Sequence, residues 1–327
     1  MVFAQYEFNL GVLPDLAPEG GWTIARPADD DFLPWPGIFT GVIWLGFYTW
    51  ISNHIIVQRV LAAKNLDHGR WGALFAGALQ LPIMILLVFP GILARDVFDD
   101  LEDPDLAWPS LVFELLPVGL RGLVVAALIA ALMSTLDSVL NGASHLVVND
   151  FVMPHKKLSD KAQLLLSRSL VAIFMVIAIA WAPVILSFDT LIEYFQSFLG
   201  YVTMPIVVVL GAGLFWRRGT APAAFWTLVT MVPAGLVGFA TGEILDLHPI
   251  QSLYATGIML VLSLVVFVAI SLRTEAPDPE DIEDVTFDRE TWREESKELK
   301  DKAWYANHRV LGVGLVALTL VVVIPFI

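Results

Sequence analysis

The sequence has 327 residues, of which 57% are hydrophobic and 16% are charged, with a mean hydropathy of +0.72. Soluble domains are roughly half apolar and about a quarter charged, so this composition indicates a protein whose solvent is lipid. The chain has no cysteine, which excludes disulfides, cysteine-ligated metal centres and thiol catalysis. Its formal net charge of −14 argues against binding to nucleic acid, because phosphate recognition needs a positive surface.

Apolar segments long enough to cross a bilayer, which takes about 20 helical residues, follow one another along the chain. They predict an all-α polytopic membrane protein with eight transmembrane helices. The first 33 residues are polar and lack the basic start of a signal peptide. The predicted spans are Pro34–Val57, Trp71–Ala94, Leu120–Val148, Ser169–Phe188, Leu191–Trp216, Ala221–Gly242, Gln251–Leu272 and Val310–Ile327.

Basic residues concentrate in alternate loops between these spans. Lys and Arg follow the first, third and fifth spans, whereas the intervening loops are acidic or neutral. Because positively charged short loops stay in the cytoplasm, both termini are predicted to lie on the outer side of the cytoplasmic membrane. Residues 1–33 would then form an extracytoplasmic segment.

The loop 273–309 is the only long polar stretch after the first span. It begins with an acidic run and continues with mixed charges, including Glu298 and Lys302 at helical spacing. This pattern predicts a short surface helix in a cytoplasmic acidic loop. The loop is either a solvated connector or a segment that binds a partner.

The third predicted helix carries an unusual density of polar groups for a membrane span. Small residues at four-residue spacing favour a packing face whose hydroxyls bond back to their own helix. An ionisable group at membrane depth instead favours a functional site, and hard cations such as Na⁺ prefer oxygen ligands. Both interpretations stay open from the residues alone. The polar residues are Ser134, Thr135, Asp137, Ser138, Asn141 and Ser144.

Three strings in this order resemble the sodium/solute symporter family, and within it the sodium–glucose cotransporter branch. They are FLPWPGIFTG leading into ISNHIIVQRVLAAKN, then AWPSLVFELLPVGLRGLVVAAL, then ALMSTLDSVLNGAS. The polar loop in the first string makes the resemblance more specific than a likeness between apolar helices. The resemblance runs from about Phe32 to Trp216 and continues as hydropathy.

The resemblance implies a leucine-transporter-type fold built from inverted repeats. Residues 34–216 would form five helices of the second repeat, and residues 217–327 would add three peripheral helices. The first repeat is not seen, so a missing N-terminal half is expected, either as a separate polypeptide partner or as part of a longer gene product. The family's sodium ligands carry over onto the carbonyl of Ala131 and the hydroxyls of Ser134 and Thr135, with Asp137 as a second-path cation ligand or a local hydrogen-bonding partner.

The resemblance also assigns a substrate pocket, with two departures from the family pattern. Trp50, Asn53 and Gln196 match pocket positions, whereas Thr49 stands where a gating aromatic is expected and Gln80 stands where a sugar-contacting lysine is expected. The alternative for the glutamines is a bond to a neighbouring backbone, and Trp50 could equally be a packing or interface aromatic. The solute is therefore expected to be small and polar, a sugar or polyol, with a carboxylate left open.

These features predict sodium-coupled symport of a sugar-like solute, with Na⁺ as the coupling ion and no other cofactor. Alternatives are a truncated remnant that carries nothing and a membrane-embedded sensor or binding module. No nucleophile–base pair or metal-ligand spacing is present in the sequence, so no catalytic residue is predicted and an enzyme is not expected.

Overall fold

The computed structural model describes residues 23–98, 101, 103–248, 250–283, 285–300 and 302–324. Within them the secondary structure is helical, apart from an isolated bridge between Arg26 and Pro34. Helices of eight residues or more are numbered in chain order. They are α1 His54–Leu61, α2 Leu66–Val97, α3 Ala107–Leu115, α4 Val118–Leu146, α5 Asp160–Ile185, α6 Leu191–Phe215, α7 Ala221–Phe239, α8 Ser252–Arg273, α9 Arg289–Lys300 and α10 His308–Val323.

Six helices among the described residues are long and apolar enough to cross a membrane. They are α2, α4 with its π-helical extension to Val152, α5, α6, α7 with its π-helical extension to Ile244, and α8. The helix α10 is apolar but has only 16 residues, and residues 325–327 of its predicted span lie outside the described residues. The all-α, multi-pass prediction is thus confirmed, whereas eight transmembrane helices are not.

The first predicted span is interrupted rather than continuous. From Trp35 to Ser52 the chain is helical, with π turns at Ile38–Val42 and Tyr48–Ser52. At Asn53 the backbone is extended, with φ −71° and ψ 117°, and α1 begins at the next residue. An apolar run does not reveal such a break, because hydropathy reports solvent preference and not backbone geometry.

The chain divides into two compact units. The described part of unit 1 lies within residues 90–191, and that of unit 2 lies within residues 23–89 and 192–324. In unit 1, α4 packs along α5, and the buried Ser144 hydroxyl donates to the Ser167 carbonyl at 3.0 Å. This hydrogen bond joins the two helices directly.

The core of unit 2 is formed by α6, α7 and α8. A Cβ on Gly235 of α7 would collide with the Tyr201 carbonyl of α6, and one on Gly200 of α6 would collide with the Thr256 side chain of α8. Small residues therefore let three backbones approach closely, as is common between helices in lipid. The largest fully buried side chains in this bundle include Phe239, Phe267, Met204 and Leu253.

The loop 273–309 contains the predicted surface helix, as α9, but it is not a free tail. The Phe287 amide donates to the Leu214 carbonyl at 2.8 Å, and Arg217 pairs with Asp288 at 3.1 Å. Both contacts attach the loop to the end of α6. Lys302 lies beyond the end of α9, and the side chain of Glu298 lies outside the described residues, so the predicted pair between them stays a prediction.

A charged cluster around Glu295 attaches α9 to two further helices of unit 2. Glu295 forms an ion pair with Arg70 of α2 and accepts a hydrogen bond from Arg309 of α10. The guanidinium of Arg309 lies 3.5 Å from the ring centre of Trp292. Burial alone would raise the pKa of Glu295, but the hydrogen bond from Arg309 and the two arginine charges together lower it. The loop is therefore fixed by contacts distant in sequence.

Candidate functional site

The predicted sodium ligands lie within two turns of α4, in unit 1. The Thr135 hydroxyl donates to the Ala131 carbonyl at 3.0 Å, so two of the expected ligand oxygens are bonded to each other. The Ser138 hydroxyl donates to the Ser134 carbonyl at 2.9 Å in the same manner. These bonds satisfy hydroxyls within their own helix, which is the usual arrangement for Ser and Thr in an apolar span.

Asp137 forms its hydrogen bond one turn further along α4. Its carboxylate accepts from the Asn141 side-chain amide at 2.7 Å, and both residues are exposed. A carboxylate in the middle of an apolar helix is costly unless it is paired or solvated. The amide reduces this cost but leaves other carboxylate lone pairs free to bind a cation.

The candidate ligand oxygens all come from this one face of α4. None of the most apolar 18-residue window of the helix is buried, and Ser144 is its one buried residue among those described. A bound Na⁺ needs oxygen ligands from several directions, which one helix face cannot provide. The arrangement is therefore one side of a potential cation site.

The α4–α5 pair also forms a polar cavity that the sequence did not indicate. Asn141, the partner of Asp137, lines it together with residues of both helices. The sequence does not indicate this cavity because its lining residues come from two separate helices. The other polar lining residues are His145, Asp160, Gln163, Ser167 and Arg168.

Three of the predicted substrate residues cluster around the break at Asn53, within the first predicted span. The Thr49 hydroxyl donates to the Leu45 carbonyl at 2.9 Å, and Trp50 is 45% exposed. The Asn53 side chain accepts from the Ile55 amide at 3.0 Å, so it caps α1. Asn53 thus has a structural role at a non-helical residue, a position that in membranes usually lines a cavity or packs in protein.

The two predicted glutamines occupy different environments in unit 2. Gln80 is exposed on α2, whereas the Gln196 amide donates to the Phe32 carbonyl at 3.3 Å and to the Ser252 hydroxyl at 3.4 Å. Among the described residues, no hydrogen bond joins either glutamine to Asn53. The five residues are therefore not linked into one polar network.

The segment before the first span is fastened to α8, which sequence reasoning missed. Gln251 donates to the Asp31 carbonyl at 3.2 Å, and the Tyr254 hydroxyl donates to the Ala28 carbonyl at 2.7 Å. The Asp30 carboxylate accepts hydrogen bonds from the amides of Leu33 and Phe32. These bonds, chiefly the one from Leu33, lower the pKa of the Asp30 carboxyl. Such contacts span more than 200 residues of sequence, and no local pattern predicts them.

The long apolar helices, the hydroxyl and carboxylate face of α4 and the broken first span define a multi-pass membrane protein with a potential cation face. Comparison with known proteins extends this class to a family. The model of the sodium:solute symporter family matches residues 9–230, and the chain belongs to that family.

Several cotransporters are similar to this chain. The human sodium/myo-inositol cotransporter 2 is 34% identical over 307 residues, covering 83% of this chain and 45% of the relative. The sodium/glucose cotransporter 4 of Danio rerio is 34% identical over 284 residues, covering 76% and 43%. The sodium/glucose cotransporter 1 of Oryctolagus cuniculus is 32% identical over 290 residues, covering 79% and 44%. The chain thus spans less than half the length of these relatives.

Proposed function

We propose that this chain forms part of a sodium-coupled symporter that carries a small polar solute, a sugar or polyol, across the cytoplasmic membrane. Family membership and the names of the similar cotransporters support the reaction class. The observation that carries the proposal is the exposed face of α4, where hydroxyl, carbonyl and carboxylate oxygens occur within two turns of an otherwise apolar helix.

Na⁺ would bind the Ala131 carbonyl and the Ser134 and Thr135 hydroxyls. The Thr135 hydroxyl would turn its lone pair toward the ion, giving up its bond to Ala131 in exchange for a charge-assisted contact. Asp137 would add negative charge nearby, because its hydrogen-bonding partner in α4 is the neutral Asn141 amide. Because one face offers too few ligands, the remaining oxygens would come from further helices, such as a separate N-terminal half.

Coupling would follow from differential binding. Na⁺ would stabilise the conformation to which the solute binds, so that the ion gradient shifts the population toward solute uptake. Trp50, Gln80 and Gln196 supply aromatic and amide surfaces of the kind that recognise sugar hydroxyls. Thr49 and Asn53 lie at the break within the first predicted span.

The proposal is tested by uptake into vesicles, with the protein expressed from its complete genomic reading frame. Labelled glucose and myo-inositol should accumulate when a Na⁺ gradient is imposed and not when K⁺ replaces it. Ser134→Ala should lower Na⁺-dependent uptake about tenfold or more, because it removes one ligand oxygen from a desolvated ion.

Ser138→Ala is the matched control, since Ser138 lies one turn further along α4 and bonds only to its own helix among the described contacts. It should leave uptake unchanged. Equal uptake by wild type and Ser134→Ala would contradict the assignment of the ion to α4. Folded protein that transports neither solute would contradict the sugar or polyol class.

A further inference from the structure

A second polar cluster lies in unit 2, at the end of α7, and the proposed transport mechanism does not use it. The π turn Ala240–Ile244 extends α7 and carries Glu243, which is half-buried. Its carboxylate faces the hydroxyls of Ser197 and Tyr201 from α6 and the imidazole of His248. π turns within helices are frequent at functional sites because they redirect side chains.

Three buried polar atoms of this cluster have no well-formed hydrogen bond among the described residues. They are the Ser197 hydroxyl, the Tyr201 hydroxyl and the Nδ1 atom of His248. Ser197 and Tyr201 are 0% and 3% exposed, so bulk water does not satisfy them. Leaving such groups unpaired is costly, and each one in a folded protein calls for a ligand, an ion or a bound water.

The backbone is shaped to bring these groups together. Asp246 has a φ of 48°, in the left-handed region, and the Leu247 amide donates to the Thr241 carbonyl at 2.8 Å. This tight reversal places the His248 ring against Gly242. A Cβ on Gly242 would lie 2.9 Å from the Tyr201 hydroxyl oxygen and 2.8 Å from Nε2 of His248, so only glycine leaves room here.

The charge balance of the cluster is negative. Glu193 of α6 is near enough to act on Glu243, and His248 is the basic group that acts on it. The described residues contain no group of three or more carboxylate, imidazole or thiol side chains suited to a metal ion. One carboxylate with two hydroxyls is a weakly charged oxygen set, which suits a monovalent hard cation better than a divalent one.

We propose that Glu243, Ser197 and Tyr201 form a monovalent-cation site that is separate from the face of α4. The ion would satisfy the two buried hydroxyls through their lone pairs and neutralise the Glu243 carboxylate at the end of the apolar helix. All three residues belong to unit 2, so the site does not depend on α4 or on symport. Ser197 directly follows Gln196 in α6, so the proposed cation site adjoins a predicted substrate residue.

The site is tested by equilibrium binding of ²²Na⁺ to the purified 327-residue chain in detergent. Wild type should bind Na⁺. Tyr201→Phe, which removes one oxygen and preserves the ring, should weaken the affinity about tenfold, and Glu243→Gln should abolish binding. Ser134→Ala should leave this binding intact, which distinguishes the site from the proposed transport ion.

Tyr305→Phe and Glu294→Gln are matched controls, because they make the same chemical changes at exposed positions. Size-exclusion profiles in Na⁺-free buffer show whether each variant is folded. If Glu243→Gln does not fold, Tyr201→Phe still tests the proposed site. Absence of Na⁺ binding by folded wild type would overturn the proposal. So would unchanged binding in Tyr201→Phe, or loss of binding in Ser134→Ala, which would place the ion on α4.

Discussion

The helices α4 of unit 1 and α8 of unit 2 contain similar residues and use them differently. In both, hydroxyls bond to the carbonyl four residues earlier, at 3.0 Å for Thr135 in α4 and 2.8 Å for Thr256 in α8. Thr256 is fully buried against Gly200, whereas Thr135 is exposed. Identical local chemistry therefore supports packing in one helix and leaves a polar face available for binding in the other.

The two units differ in the same way as a whole. The bundle α6–α7–α8 has close backbone approaches at several glycines, and many of its small residues are buried. In unit 1, α5 has no buried residue among those described, and α4 has one. Tight packing fixes a helix bundle, while an unpacked polar face can change its contacts when an ion binds.

The largest expected effect comes from filling a close approach in unit 2. Gly235→Ala would drive a methyl group into the Tyr201 carbonyl, which is backbone and cannot rotate away. The free energy of unfolding in detergent should fall by about 3 kcal/mol or more. Denaturation with SDS, followed by circular dichroism, measures it.

Gly142→Ala in α4 is the matched control, because a Cβ there meets nothing within 4 Å. Its free energy of unfolding should stay the same or rise slightly, since alanine favours helix over glycine. Equal losses in the two variants would break the comparison, because the units would then be packed alike.

A smaller effect is expected where the connector docks on unit 2. Arg309→Gln removes the ion pair with Glu295, which is largely shielded from solvent, and the contact with the half-exposed Trp292 ring. The free energy of unfolding should fall by about 2 kcal/mol, between the values for exposed and buried ion pairs.

Arg293→Gln makes the same chemical change at an exposed position of α9 and should cost almost nothing. Limited proteolysis of the loop 273–309 gives an independent measure, and cleavage should accelerate only in Arg309→Gln. Equal cleavage of wild type and both variants would show that the connector is not docked.

The smallest effect is expected within unit 1. Ser144→Ala removes the hydroxyl that donates to the Ser167 carbonyl of α5 at 3.0 Å. The same unfolding measurement should show a loss of about 0.6 kcal/mol, the usual size of an interhelical hydrogen bond in membranes. Ser138→Ala should show less, and a larger loss there would mean that its hydroxyl has a packing role.

Hydropathy placed the third, fifth, sixth and seventh spans to within a few residues, whereas α5 begins at Asp160, well before the predicted start at Ser169. The third span was predicted at Leu120–Val148 and is the helix Val118–Leu146. The clearest error concerns Asn53, where an apolar run continues although the helix stops to form a cap. Side-chain capping is a local geometric event that barely changes the hydropathy of a 20-residue window.

The candidate functional groups were predictable only in part. The polar residues of α4 stand out because they are concentrated in one apolar segment. Ser197, Tyr201 and Glu243 are dispersed over two helices, and only folding brings them together. The docking of α9 on α2 and α10 through Glu295 depends likewise on contacts between distant segments.

The most direct test of the central claim, that α4 presents a sodium face, uses the absence of native cysteine. Ser138→Cys places a thiol on this face, one turn from Ser134, in vesicles that contain the protein from its complete reading frame. Na⁺, compared with choline, should slow labelling by a thiol reagent, and adding Ser134→Ala should abolish this protection. Labelling at the same rate with and without Na⁺, or protection that survives Ser134→Ala, would contradict the account.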